Sequence, residues 1–271
     1  MMKDHKTALV LGGIKGIGLG IGLELAKKGV KVALTYYDWE ENLEDMLSAL
    51  DEIGADYLTI KVNLLETDKI DGVIQQVLKR FGRLDILINN IERGGWPVVH
   101  GKYVQEQWDL ELATTLRAKQ WVFEAALPYL KESGDGVVIN ISSIAGIKGR
   151  SGPVSVVFNE GYSAANRGIS LLTETWARRG APAVRVNEIM LGIVETRHGP
   201  GTRGWGLLTE EQKKAIVNHT LRARTGTIED VVKAVVFVIY NADFMTGSVI
   251  RLDGGYVLGG EEILPMPEGV V

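Results

Sequence analysis

The chain has 271 residues, no cysteine, and 30 Lys plus Arg against 34 Asp plus Glu, for a formal charge of −4. The lack of cysteine excludes disulfide scaffolds, cysteine nucleophiles and Cys-based zinc sites, and the mild, dispersed negative charge excludes a dedicated nucleic-acid binder. Glycine is enriched (33 residues), but without a three-residue period and among many Val, Ile and Leu, which excludes collagen and low-complexity disorder.

In chain order, short apolar runs alternate with longer amphipathic ones. Strands are expected near 7–11, 30–36, 57–62, 84–88, 136–141, 183–189 and 248–252, and helices near 16–28, 39–53, 67–80, 104–131, 161–179 and 228–241. The strands are apolar on both faces, as in Val137-Val138-Ile139-Asn140-Ile141, which suits a parallel sheet covered by helices on each side. The pattern predicts a single α/β domain over 1–271: a doubly wound Rossmann fold with a seven-stranded parallel sheet. No linker rich in Pro, Gly or Ser divides it. Segment 197–218 reads as a substrate lid that begins irregular and ends in a short helix near 209–218, and 259–271 as an irregular tail. No apolar run approaches the ~18 residues of a membrane span, and the polar start of the chain lacks a signal peptide's apolar core, so a cytoplasmic protein is expected.

The first strand runs into Gly12-Gly13-Ile14-Lys15-Gly16-Ile17-Gly18. A strand that feeds a helix through such a turn lets backbone approach a pyrophosphate, and the helix N-terminus offers free N–H groups and a favourable dipole. Gly12, Gly16 and Gly18 are spaced G-x-x-x-G-x-G, a variant of the dinucleotide fingerprint. The second strand ends Leu34-Thr35-Tyr36-Tyr37, with no acid before Asp38 to hold a ribose hydroxyl, while Lys15 lies inside the turn. A cation there, without that acid, suits the extra phosphate of NADP, with NAD the alternative.

With these pieces in view, the chain resembles the short-chain dehydrogenase/reductase family, in the single-domain form of the 3-oxoacyl-carrier-protein reductases. The resemblance runs from Thr7 to about Gly259 and rests on several segments. These are the 12–18 turn, Asn89-Asn90, Asn140-Ile141-Ser142-Ser143, Tyr162, Arg185-Val186-Asn187, Leu191-Gly192-Ile193-Val194-Glu195-Thr196, Thr246-Gly247 and Asp253-Gly254-Gly255. It implies that Gly12, Lys15, Gly16, Ile17, Gly18, Thr35, Tyr36, Asn63, Leu64, Asn90, Ile193 and Thr196 bind the cofactor. It implies a catalytic set of Ser143, which polarises a carbonyl oxygen, and Tyr162, which transfers the proton. The family's lysine falls at Asn166, expected to hold a ribose, and its central-helix asparagine falls at Thr115. Ile91-Glu92 replaces the usual Ala-Gly, and the stretch between Ser143 and Tyr162 is longer than usual. Family members also pair through their long helices, so 104–131 and 161–179 are expected to build a homodimer or homotetramer.

A cation about 4 Å from a phenol is worth roughly 4 kcal/mol at an effective dielectric near 20, or about three pKa units. Without the lysine, Tyr162 is expected to stay protonated at neutral pH, which suits carbonyl reduction better than alcohol oxidation. Arg167 lies about 140° around the helix from Tyr162 and Asn166 about 40°. Lys148 and Arg150 are read as solvated loop charges, and Glu92 as facing solvent. The four histidines lack ligand spacing, so no metal is expected. Trp96 and Trp205 are candidate pocket walls. The reading is therefore an NADP-dependent reductase of a small-molecule carbonyl compound, the alternative being a nucleotide-binding but catalytically silent subunit beside an active homologue.

Overall fold

The computed structural model describes residues 6–92, 103–196, 203–261 and 263–269, so Trp96 and the first part of the 197–218 segment lie outside it. The seven expected strands form one parallel sheet: β1 (Thr7–Val10), β2 (Lys31–Tyr36), β3 (Tyr57–Lys61), β4 (Ile86–Asn89), β5 (Gly136–Ser143), β6 (Val184–Leu191) and β7 (Val249–Leu252), in the order β3-β2-β1-β4-β5-β6-β7. The chain reverses its direction of travel across the sheet between β1 and β4, and ligands of doubly wound folds bind beyond the strand ends at such a switch.

Alternation along the strands assigns side chains to the two faces. Leu9, Val138, Val184 and Val186 join one core cluster with α3 (Ile70–Phe81), α5 (Ala118–Glu132) and α7 (Glu160–Gly180). Ala8, Val10, Ile139, Ile189 and Leu191 join the other with α1 (Gly16–Lys27), α2 (Leu43–Glu52) and α10 (Ile228–Tyr240). Both faces are dry, hence the double-sided apolar strands. The exceptions are the edge strands β3 and β7, only partly buried, which the apolar pattern did not distinguish.

The expected helices are present with some changes, among them a 3-10 turn, Thr67–Lys69, that opens segment 67–80. Segment 39–53 opens as a 3-10 turn, Glu40–Asn42, behind Trp39 at φ 66°. The long segment 104–131 is not one uniform helix: α4 (Gln105–Leu112) passes through a π-helical turn, Ala113–Arg117, into α5. Thr115 lies in that turn, fully buried, and such turns cluster at functional sites. The Ser143–Tyr162 stretch holds a short helix, α6 (Ala145–Lys148), and a 3-10 turn, Pro153–Val156. In the lid segment, α8 (Arg203–Gly206) precedes α9 (Glu210–His219), whose Thr209 N–cap exchanges hydrogen bonds with Gln212. The tail is exposed, with Ile263 and Met266 in solvent.

The two helices that carry the site are locked together. Phe123 of α5 stacks on Trp176 of α7 with ring centroids 4.5 Å apart, and the Trp176 indole N–H donates to Gln120 Oε1 at 3.0 Å. A stacked pair contributes roughly 1 kcal/mol beyond its buried area.

Candidate active site

The glycine turn is held by backbone groups. The Gly12 N–H donates to Thr35 Oγ1 (3.2 Å), the Gly13 N–H to the Thr35 carbonyl (2.8 Å), and Asn90 Nδ2 to the Gly12 carbonyl (3.2 Å). Gly12 and Gly16 adopt φ of +69° and +59°, and a Cβ on Gly18 would lie 2.0 Å from the Gly12 carbonyl oxygen. Only glycine permits this turn. The α1 N-cap, Lys15, makes no side-chain capping bond, and the first turn carries no acid, so the positive end of the helix is left open to an anion. These features fit a dinucleotide phosphate. Lys15 Nζ sits 3.2 Å from the centre of the Trp39 ring, a cation–π contact at the end of β2. Asn63 Oδ1 accepts the Leu65 N–H at 3.1 Å, while the Leu64 side chain packs in the core, leaving Leu64 its backbone for any cofactor contact.

Across the sheet ends, an open cleft is lined by Ile17, Glu92, Ser142, Ser143, Phe158, Tyr162, Leu191, Gly192, Val194 and Thr196. It thus joins the glycine turn to the expected Ser143 and Tyr162. Ser143 ends β5, and its Oγ accepts the Ala145 N–H at 3.2 Å, so the hydroxyl hydrogen stays available to a ligand. Tyr162 lies in the first turn of α7, whose N-cap Asn159 accepts the Tyr162 N–H at 2.8 Å. Asn159 is in turn fixed by Glu111 of α4, which also accepts from the Tyr103 hydroxyl at 2.7 Å. Burial raises the Glu111 carboxyl above its ordinary range, against these hydrogen bonds.

Three placements differ from expectation. Glu92 does not face solvent: its Oε1 accepts the Tyr162 hydroxyl at 2.9 Å. Asn166 is fully buried; Oδ1 accepts the Ser143 N–H at 2.9 Å and Nδ2 donates to the Tyr162 carbonyl at 3.0 Å. It brackets β5 to α7 through backbone groups. The third is a lysine that sequence reading overlooked. Lys119 of α5 is completely buried, with Nζ donating to the Ile141 carbonyl at 2.8 Å. Burial pulls its ammonium down to about 8, opposed by the charges of Glu92 and Glu188. Glu188 is buried on β6, accepts from the Ser142 hydroxyl, and is pushed up by burial against the pull of Ser142, Lys119 and Arg167.

Signals for these residues existed. Lys119 follows Thr115 by four residues, one helical turn, and Glu188 interrupts the apolar strand Val184–Leu191. As expected, Arg150 pairs with Glu160 at an exposed position (3.1 Å), away from the cleft. Trp205 packs against a satellite cluster of Phe158, Tyr162, Met190, Ile193 and Leu208 beside the cleft. Among the described residues no cluster of His, Asp or Glu is arranged to hold a metal, and no helix is long and apolar enough to cross a membrane.

The family model described as short chain dehydrogenase matches residues 6–205. The chain belongs to the short-chain dehydrogenase family. It is, on that footing, an NAD(P)-dependent oxidoreductase. A 3-oxoacyl-acyl-carrier-protein reductase of Staphylococcus aureus is 30% identical over 258 residues, covering 94% of this chain and 99% of the relative. A 1,6-dihydroxycyclohexa-2,4-diene-1-carboxylate dehydrogenase of Pseudomonas putida is 30% identical over 259 residues, covering 92% of each. Among solved structures, a mutant short-chain dehydrogenase/reductase of Serratia marcescens superposes with TM-score 0.79 at 26% identity, covering 93% of this chain and 97% of that one. That these relatives are oxidoreductases does not favour the silent-subunit alternative.

Proposed function

We propose that this short-chain dehydrogenase reduces a carbonyl compound with NADPH. The observation that carries the reading is a cleft that brings Ile17 of the glycine turn together with Ser143, Tyr162 and Thr196. Gly12, Gly16, Ile17 and Gly18 would hold the pyrophosphate, Lys15 with Thr35 and Tyr36 the adenosine end and its extra phosphate, and Asn63, Leu64, Asn90, Ile193 and Thr196 the remainder. When bound, NADPH supplies a hydride to the carbonyl carbon.

The chain's own residues supply the rest. Ser143 Oγ already accepts from Ala145, so its hydroxyl hydrogen donates to the substrate oxygen and polarises the carbonyl. Tyr162 gives the proton that converts the developing alkoxide into an alcohol. Its hydroxyl rests on Glu92 and must turn to the substrate, exchanging a hydrogen bond worth about 1.5–3 kcal/mol for one to the more basic alkoxide. Thr115 and Asn166 support these groups from buried positions. The identities of the relatives make a 3-oxoacyl thioester the first substrate to try. Exposed Trp121 and Leu171 on α5 and α7 support a homo-oligomer built on those helices.

Fluorescence titration with NADPH and NADH, followed by cofactor oxidation with a panel of 3-oxoacyl thioesters and other ketones, tests the reading. Tighter NADPH binding and turnover by reduction, faster than oxidation of the matching alcohol at pH 7 under saturating conditions, is the expected result. Absence of binding to either cofactor, or faster alcohol oxidation, overturns it.

A further inference from the structure

We propose that Glu92 is the proton relay of this site: its carboxyl returns to Tyr162 the proton that Tyr162 gives to the substrate. The proposal deepens the reductase reading and rests on it for its kinetic consequences, but not for the coupling of Glu92 to Tyr162.

Reduction of a carbonyl consumes a proton as well as a hydride. The Tyr162 O–H bond breaks as the alcohol O–H bond forms, and the phenolate left behind has to be reprotonated. Tyr162 is 1% exposed, so bulk water has little access to it. The residues at the other expected catalytic positions do not supply this proton. Ser143 and Thr115 carry hydroxyls, which do not ionise near neutral pH, and Asn166 carries an amide. Both polar ends of that amide are engaged with backbone, Oδ1 with the Ser143 N–H and Nδ2 with the Tyr162 carbonyl. Glu92 does ionise, and it touches the reacting atom: Oε1 accepts the Tyr162 hydroxyl at 2.9 Å. Glu92 is also half-buried in the wall of the open cleft, where water can reload it between turnovers.

Charge sets how the pair works. With Glu92 ionised, a phenolate at this distance would be a second negative charge in one small volume, which like-charge repulsion opposes. With Glu92 protonated, the hydrogen bond reverses: the carboxyl donates to the phenol oxygen, and the phenol hydrogen turns to the substrate. The Tyr162 proton then passes to the alkoxide, and the Glu92 proton passes to Tyr162. The pair goes from neutral to singly negative and is never doubly negative. Other charged groups are arranged around it on neighbouring elements. Lys119 of α5 interacts with the charge of Glu92, while its Nζ donates to the Ile141 carbonyl. Glu188 of β6 lies behind Ser142 and accepts from its hydroxyl. The cleft walls contributed by Ile17, Ser143 and Phe158 are neutral.

The test uses the full chain. Ultraviolet difference titration of wild type against Tyr162→Phe reads the ionisation of Tyr162. Glu92→Gln is expected to lower that midpoint by about one unit or more, because the neighbouring negative charge is gone. In the reductase assay, wild-type kcat is expected to fall as pH rises through the ionisation of Glu92. Glu92→Gln is expected to lose that limb and about tenfold or more in kcat, with KM within about threefold. Formate added to Glu92→Gly is expected to raise kcat about threefold or more, and to do nothing for wild type or for the double variant with Tyr162→Phe. A Tyr162 midpoint indifferent to Glu92→Gln, a folded Glu92→Gln protein with wild-type kcat and pH profile, or a folded Glu92→Gly protein that formate does not rescue overturns the proposal. If Glu92→Gln does not fold, Glu92→Gly takes its place in both measurements. If wild-type protein reduces no ketone, the reductase reading fails, and the Tyr162 midpoint alone decides whether Glu92 governs the Tyr162 proton.

Discussion

The two ends of the cleft are built on different principles. The glycine-turn end is held by backbone: Gly12 and Gly13 hang from Thr35, Asn90 grips the Gly12 carbonyl, and Gly18 packs against that same carbonyl. The Ser143–Tyr162 end is held by side chains from separated segments: Asn166 bridges Ser143 to Tyr162, Glu92 takes the hydroxyl, and Lys119 of another helix donates to the Ile141 carbonyl beside it. Backbone geometry admits few substitutes, whereas a side-chain contact can be supplied from more than one segment. The first end therefore keeps a recognisable pattern, and the second can be rewired without altering the sheet.

Experiments that separate the two ends can be ranked by expected effect. Tyr162→Phe removes the proton donor but no backbone support; turnover is expected to fall about 10²–10⁴-fold while NADPH affinity changes little, read by steady-state kinetics and fluorescence titration. Gly18→Ala attacks the other end. Its Cβ would meet backbone at 2.0 Å, so a loss of about 3 kcal/mol in urea unfolding and roughly hundredfold in NADPH affinity is expected. Equal effects on turnover and affinity in both variants would erase the distinction.

Asn166→Lys sharpens it further. Lysine cannot accept the Ser143 N–H and puts a cation at a fully buried position, so about 3 kcal/mol of stability should be lost with no gain in turnover. A variant as stable as wild type with faster turnover would instead make Asn166 a degenerate catalytic position.

The pH dependence of stability isolates Lys119. Its folded pKa is lowered to about 8, below the unfolded value of about 10.4, so between these limits the unfolded chain holds the extra proton. Stability contributed by this group therefore rises with pH across that window, by about 3 kcal/mol at most. Wild-type unfolding free energy minus that of Lys119→Met, measured from pH 7 to 10, should show this rise. The smallest effect is expected at Lys15: its replacement by Ala should cut the preference for NADPH over NADH about tenfold, read by paired titrations.

The alternating strands and helices were legible because burial on both faces of a parallel sheet leaves a local signature. Gly12, Gly16 and Gly18 were legible because a turn is encoded by adjacent residues. Ser143 and Tyr162 were legible from flanking motifs, and the structure brings them to one cleft. The role of Asn166 was not, because its position on the helix gives its direction but not its partners. Lys119 and Glu188 were passed over as ordinary charges on a helix and a strand, since burial of a charge is visible only once its neighbours are assembled.

By itself, then, the sequence determined the doubly wound sheet and the glycine turn after its first strand, both of which arise from local periodicity and from backbone that only glycine permits. Tertiary structure decided the electrostatics of the site. Glu92, Lys119, Tyr162 and Glu188 lie on four separate segments, and the energy of a charge depends on distance and desolvation, which no stretch of contiguous sequence specifies.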